Sequence, residues 1–296
     1  MNAIPIGEIL AVVSAVFWAA AIIFFRKSGE KVAPLGLNLF KNIIGLALFL
    51  ITMAVTGEPL LHSAPSKDIL LLLVSGLLGI ALSDTLFLYS LNLLGAGRAA
   101  IVATLYSPFI ISLSLVFLGE RLNGRQVVGV GLIFSAVLVI AYHKEDRTVR
   151  AGSFLSGIVL GVLAQLTTAV GIVMIKPILG HTPVVWATAL RLAGAIPALG
   201  LILAFHREKK SIYASLWKRA HWKVLLPASF LGTYLSIVAW MGSMKYTQAS
   251  VAAALNQTST AFTFVLAAVF LKEKPTAVKT AAVFLALLGA LLISSL

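Results

Sequence analysis

Predominantly apolar runs of about twenty residues follow one another from end to end of this chain, and that spacing decides most of what it can fold into. A run of that length coiled as a helix, at about 1.5 Å per residue, covers the ~30 Å hydrocarbon layer of a bilayer. Charge, proline or glycine bounds ten of them, at 7–25, 34–55, 68–91, 98–118, 125–142, 154–175, 183–205, 223–244, 249–271 and 276–295. The chain is 60% hydrophobic and 11% charged, whereas soluble domains carry about 45–50% apolar and about 25% charged residues. The expectation is an all-α polytopic membrane protein with ten transmembrane helices. The first run has no basic segment before Arg26 and extends from Ile9 to Phe25, so it reads as a mature span rather than a cleaved signal.

Five runs precede the polar stretch "HKEDRTVRAGS" (143–153) and five follow it. The two halves align. An offset of 150 puts Gly7 on Gly157, Ala19 on Ala169 and Arg26 on Lys176; from the third run the offset becomes 153, putting Gly79 on Gly232, Ser83 on Ser236 and Glu120 on Glu273. This predicts two five-helix repeats, at 1–145 and 152–296. Five is odd, so the second repeat enters the membrane inverted, an architecture that places a carrier's site between the halves near the midplane.

The net charge of +13 is scattered over short connections, which gives nucleic acid no basic domain to bind. It reads as a topology signal. Loops on the N-terminal side carry five Lys and Arg residues and those on the other side sixteen, so the positive-inside rule places both termini outside the cytoplasm. The chain has no cysteine, which removes disulfides, thiol nucleophiles and thiolate metal sites. The five histidines sit in loops without ligand-like spacing, and no phosphate-cradling glycine motif occurs. One deep acid is too few for an intramembrane aspartic protease. Neither an enzyme nor a metal or cofactor site is expected.

Polar groups inside the runs are costly in hydrocarbon and mark candidate functional positions. Lys41 and Arg191 are the two basic residues well inside spans, and they align at offset 150. They could face a cavity, pair with an acid or snorkel to an interface. Asp84 is the one acid far inside a span, and its repeat mate is Ile237. It reads either as a counter-charge or as a protonatable group, which leaves proton or ion coupling open. "NQTST" (256–260) interrupts the ninth run at mid-depth, and Thr104, Tyr106, Ser107 and Pro108 interrupt the fourth at the matching place. Helical spacing puts Asn256 on one face with Ser259 or Thr260 and leaves Gln257 and Thr258 to bond neighbouring helices. Trp18, Asn38, Asn42, Gln165, Thr167, Thr168, Tyr234 and Trp240 are further polar or aromatic candidates. Trp217 and Trp222 read as interfacial anchors. Glu120 and Glu273 open short turns, where each could cap the next helix.

These residues resemble the EamA family of the drug/metabolite transporter superfamily over nearly the whole chain. "AVFWAAAIIFFRK" (15–27) is similar to the family's first-helix pattern, with Trp18 at its tryptophan position. "GRAAIVATLYSPFIISLSLVFLGERL" (97–122) and its second copy, "QASVAAALNQTSTAFTFVLAAVFLKEKP" (248–275), are the most specific matches. The second copy has Ala261 in place of the proline and Lys272 in place of the glycine, and Lys41 replaces a more usual arginine. The resemblance implies a carrier of small metabolites, often an exporter of amino acids or related compounds. A membrane scaffold or lipid-binding protein, with the polar residues as interhelical glue, is the competing expectation.

Overall fold

A computed structural model describes residues 6–60, 62–119, 123–142 and 151–294. Glu120 and most of the polar stretch between the halves lie outside these residues. Among them the chain is helical throughout: α1 (Ile6–Gly29), α2 (Pro34–Thr56), α3 (Ser66–Leu94), α4 (Ala96–Phe117), α5 (Gly124–Tyr142), α6 (Ala151–Val173), α7 (Val184–Phe205), α8 (Arg219–Tyr246), α9 (Ala249–Phe270) and α10 (Ala277–Ser294). Eight of these are long and apolar enough to cross a membrane. The others, α5 and α10, are shorter apolar helices packed against each other. The protein is a multi-pass membrane protein.

Prolines and glycines cut the runs where their backbone demands it. Pro34 opens α2 at a position whose N–H would have no intrahelical partner anyway. Gly57 closes α2 in the left-handed conformation, φ 73°, which costs a residue without Cβ little. Two short helices lie outside the main ten. Lys176–Leu179 follows α6, and Lys209–Trp217 precedes α8. The latter buries Ile212 and Leu216, one turn apart, and Ile212 packs against Gly36 at the start of α2. Trp217 remains exposed, while Trp222 packs edge-on against Phe40 and donates its indole N–H to the Leu216 carbonyl at 2.8 Å.

The halves repeat each other's contacts atom by atom. Ser83 Oγ on α3 donates to the Ala164 carbonyl on α6 at 2.8 Å, and its mate Ser236 on α8 donates to the Ser14 carbonyl on α1 at 3.2 Å. Gly157 lets α6 approach Leu94 so closely that a Cβ there would lie 2.8 Å from that side chain; Gly7 does the same for α1 against Thr247. Helices α2 and α7 pack together across the halves, as do α4 and α9. These reciprocal pairings are what a pseudo-twofold arrangement of two repeats requires.

Candidate functional site

Two irregularities, each present once per half, aim polar groups at the middle of the protein. The first is a π-helical turn, Leu77–Leu82 in α3 and Ser229–Leu235 in α8, at matching places of the repeat. Its wider turn shifts the hydrogen-bond register and re-aims the side chains that follow, as such turns often do at functional sites. The second is a break: α4 is interrupted at Thr104–Leu105 and α9 at Gln257, where three-residue hydrogen bonds replace the α-helical ones. An open cavity, about 930 Å³ of empty space with its mouth included, lies among these four irregular segments, with further walls from α1, α2, α6 and α7.

In the first half, the π turn is tied to a buried polar chain. Asn38 on α2 donates to the Ile80 and Ala81 carbonyls, at 3.0 and 3.2 Å, within that turn. Asn42 donates to Asn38 Oδ1 at 2.8 Å, and Lys41 Nζ donates to Asn42 Oδ1 at 3.2 Å. The chain ends at Asp84, whose Oδ2 takes Lys41 Nζ at 2.6 Å. Lys41 is 2% exposed, so the pair holds its ammonium inside the protein and away from an interface. The buried charge is thereby compensated, as a low-dielectric site demands.

The second half departs from this. Arg191, the mate of Lys41, is 3% exposed and lines the same cavity. Its Nε donates to Ser75 Oγ at 3.0 Å and its Nη1 approaches Met241 Sδ at 3.3 Å. Ser75 Oγ in turn donates to the Gly171 carbonyl at 2.6 Å, which fixes it as the acceptor for Arg191. Among the described residues no carboxylate lies within 4.0 Å of the guanidinium. A guanidinium has five N–H donors, and here a hydroxyl and a weakly accepting thioether take one each.

The remaining wall combines aromatic faces with amides. Trp18 packs on Phe87, with ring centroids 5.7 Å apart, and Trp240 meets Tyr106 edge-on at 5.6 Å. Asn256 donates to the Ala11 carbonyl at 3.3 Å. Gln165, Gln257 and Ser259 line the cavity, and their side chains make no hydrogen bond among the described residues. Polar groups left open toward a cavity can serve a solute or water.

Of the residues expected at such a site, Trp18, Lys41, Asp84, Tyr106, Arg191, Trp240, Asn256 and Ser259 line this cavity. Four others are spent on packing. Thr104 bonds back to the Ile101 carbonyl at 2.6 Å, and Ser107 is fully buried. Thr260 reaches the Ala100 carbonyl on α4 at 3.4 Å. Tyr234 points its hydroxyl to Thr52 at 2.6 Å and meets Phe49 edge-on. Gln257, expected to bind helices together, instead faces the cavity, because the break at that residue resets the helical face. Thr168, a polar candidate from the sequence, lines the cavity as well, and so do Ser14, Ser83 and Ser236, which are not among the candidates. The alignment of Ser83 with Ser236 was the available signal for two of them.

Glu273 does cap a helix, but not the next one. Its two carboxylate oxygens accept from Ala96 N at 2.7 Å and Gly97 N at 2.9 Å, at the start of α4 in the other half. Gly95, with φ 81°, leaves the space this carboxylate occupies. A carboxylate is favoured at the positive end of a helix dipole.

Comparison with known proteins points the same way. An uncharacterized transporter of Archaeoglobus fulgidus is 22% identical over 96% of both chains. An uncharacterized transporter of Clostridium kluyveri is 25% identical over 49% of this chain and 47% of its own. A solved crystal structure covers 97% of this chain and 95% of its own with a TM-score of 0.75; at 18% identity it speaks for the fold alone. The EamA-like transporter family matches residues 5–142 and 155–295, one match per repeat. A membrane transporter is what the family, the relatives and the central cavity have in common, and the chain belongs to the EamA-like transporter family.

Proposed function

We propose that the protein is a secondary carrier that moves small organic solutes bearing a carboxylate, amino acids or related compounds, out of the cell by alternating access. The observation that carries this reading is the unequal fate of two aligned cations. Lys41 is neutralised by Asp84, whereas Arg191 faces the cavity without a carboxylate. A solute carboxylate would provide the missing charge, and a guanidinium's planar fork suits it. Trp18 and Trp240 would cover the apolar part of such a solute, and Asn256, Gln257, Ser259 and Gln165 its remaining polar groups.

In this proposal all ten helices span the bilayer as two inverted repeats, 1–145 and 152–296, with both termini outside the cytoplasm. The Lys and Arg excess in the opposite loops supports that orientation. Asp84, 19% exposed at its side chain beside the buried Lys41, is the group where a coupling proton would act. Export follows from the family resemblance.

The test is counterflow in proteoliposomes with amino acids, nucleosides and sugar phosphates. Saturable exchange of carboxylates, reduced at least tenfold in Arg191→Met, is the expected result. Exchange of uncharged nucleosides alone would refute the anion reading. No exchange of any solute would leave the scaffold as the better description.

A further inference from the structure

A second open cavity, about 760 Å³ of empty space with its mouth included, sits where the end of α1, the start of α8 and the end of α9 meet. This is the Lys- and Arg-rich end of the helices. We propose that it binds the phosphate headgroup of an anionic phospholipid, with an acyl chain lying down the lipid-facing side of α9.

Charge is the first argument. Lys27 in the last turn of α1 and Lys31 just beyond it both line the cavity. Among the described residues neither ammonium lies within 4.0 Å of a carboxylate. Nor do their ammonium groups close the helix, because the Ser28 carbonyl takes the backbone N–H groups of Lys31 and Val32, at 3.0 and 2.9 Å. His221 adds a third edge: its Nδ1 meets the Ser215 carbonyl at 2.8 Å, which makes that nitrogen the donor and fixes the ring. Against the two lysines stands one acid, Glu30.

The second argument is independent of charge. Ser28 lines the cavity and is 4% exposed, and its hydroxyl has no hydrogen-bond partner among the described residues. A buried hydroxyl left unpaired is disfavoured, and a phosphate oxygen would accept its hydrogen.

The third argument separates a lipid from free phosphate. Below the polar rim the wall is Leu225 and Leu271, and Phe270 beside them is 57% exposed on a helix apolar enough to span the membrane. A charged head above an apolar, outward-opening wall matches an amphiphile. Basic pockets between helices at the membrane interface are recognised binding places for anionic headgroups.

The experiment follows thermal unfolding of the full chain in an uncharged detergent with added short-chain phosphatidylglycerol, phosphatidylcholine or inorganic phosphate. Phosphatidylglycerol is expected to raise Tm saturably, and the other two are not. Lys27→Gln with Lys31→Gln should weaken the apparent affinity at least tenfold, and Ser28→Ala several-fold. Arg207→Gln with Lys210→Gln removes equal charge from the same end outside the cavity and should leave the affinity unchanged. Glu30→Gln removes the lone acid and should tighten binding two- to three-fold, which keeps the test decisive even if the lysine double variant fails to fold. Equal loss in the control pair, an equal response to phosphatidylcholine, or no gain in Glu30→Gln would overturn the proposal. An equal response to inorganic phosphate would overturn the lipid as its occupant.

Discussion

The two halves of the cavity share a backbone and differ in charge. Both have a π turn in the third helix of the repeat, a break in the fourth and a serine that bonds across to the other half. Onto this frame the first half places Lys41 with Asp84, and the second places Arg191 opposite Ile237. The same position thus holds a cation paired with a carboxylate on one side and, on the other, one with no carboxylate within 4.0 Å among the described residues. Symmetry builds the container, and its breaking supplies the chemistry.

The largest expected effect comes from forcing the halves to match. Asp84→Ile copies the second half's residue into the first and strands the Lys41 ammonium. Breaking a buried pair this way costs roughly 3–5 kcal/mol, so folded yield and Tm in detergent should fall sharply. Adding Lys41→Met removes the stranded charge and should restore most of the yield, since apolar replacement of a buried pair is often neutral. A double variant no more stable than Asp84→Ile would mean that the pair has no energetic coupling.

The opposite operation sharpens the contrast. Arg191→Met removes a cation that has no carboxylate to strand, and Ser75 keeps its bond to Gly171. Folded yield should therefore fall far less than in Asp84→Ile, while exchange of carboxylates drops. Hydrogen bonds to charged groups contribute roughly 1.5–3 kcal/mol, so apparent affinity should weaken by about ten- to a hundred-fold. Parallel losses of yield and exchange would assign Arg191 to structure.

A smaller effect is expected at the link between halves. Glu273→Gln keeps an acceptor for the α4 N-terminus but loses the charge that the helix dipole favours, up to about 2 kcal/mol at a partly buried end. Glu273→Ala loses the cap as well, about 0.5–2 kcal/mol. Unfolding in detergent should rank the two in that order below the wild type. Equal stability of all three would mean that the cap at Ala96 and Gly97 does not hold the halves together.

Much of this was legible in the chain. Hydropathy marked the helices, the shifting offset marked the repeat, and the expense of burying charge singled out Lys41, Asp84 and Arg191. What stayed hidden was non-local or a matter of backbone register. The π turns are made of ordinary apolar and small residues, such as "LLGIAL" (77–82), and nothing in their composition separates them from an α-helix. Glu273 reaches a helix nearly two hundred residues away in sequence, so counting along the chain pointed it to its neighbour instead. Gln257 escaped because the helical face was projected through a break.

That break supports the least disruptive prediction, and it bears on what the symmetry consists of. In α4 the interruption precedes Pro108, whose missing N–H offers a ready cause. Yet α9 breaks at the matching place with Ala261 in the proline's position. The proline therefore follows the break and does not create it. The first four N–H groups of a helix lack intrahelical partners, and Pro108 is the third residue of the segment Tyr106–Phe117. Ala261 is the fourth residue of Thr258–Phe270, one place further in, but the Gln257 carbonyl that would take its N–H already takes that of Thr260 at 2.9 Å. Copying the proline across, as Ala261→Pro, should then shift stability by less than about 1 kcal/mol, against the roughly 3 kcal/mol of a proline in a helix interior. Pro108→Ala should be equally mild. A loss of the full interior penalty in Ala261→Pro would show that α9 is continuous through this point. The two halves would then differ in backbone as well as in charge, and Gln257 would lose its reason to face the cavity.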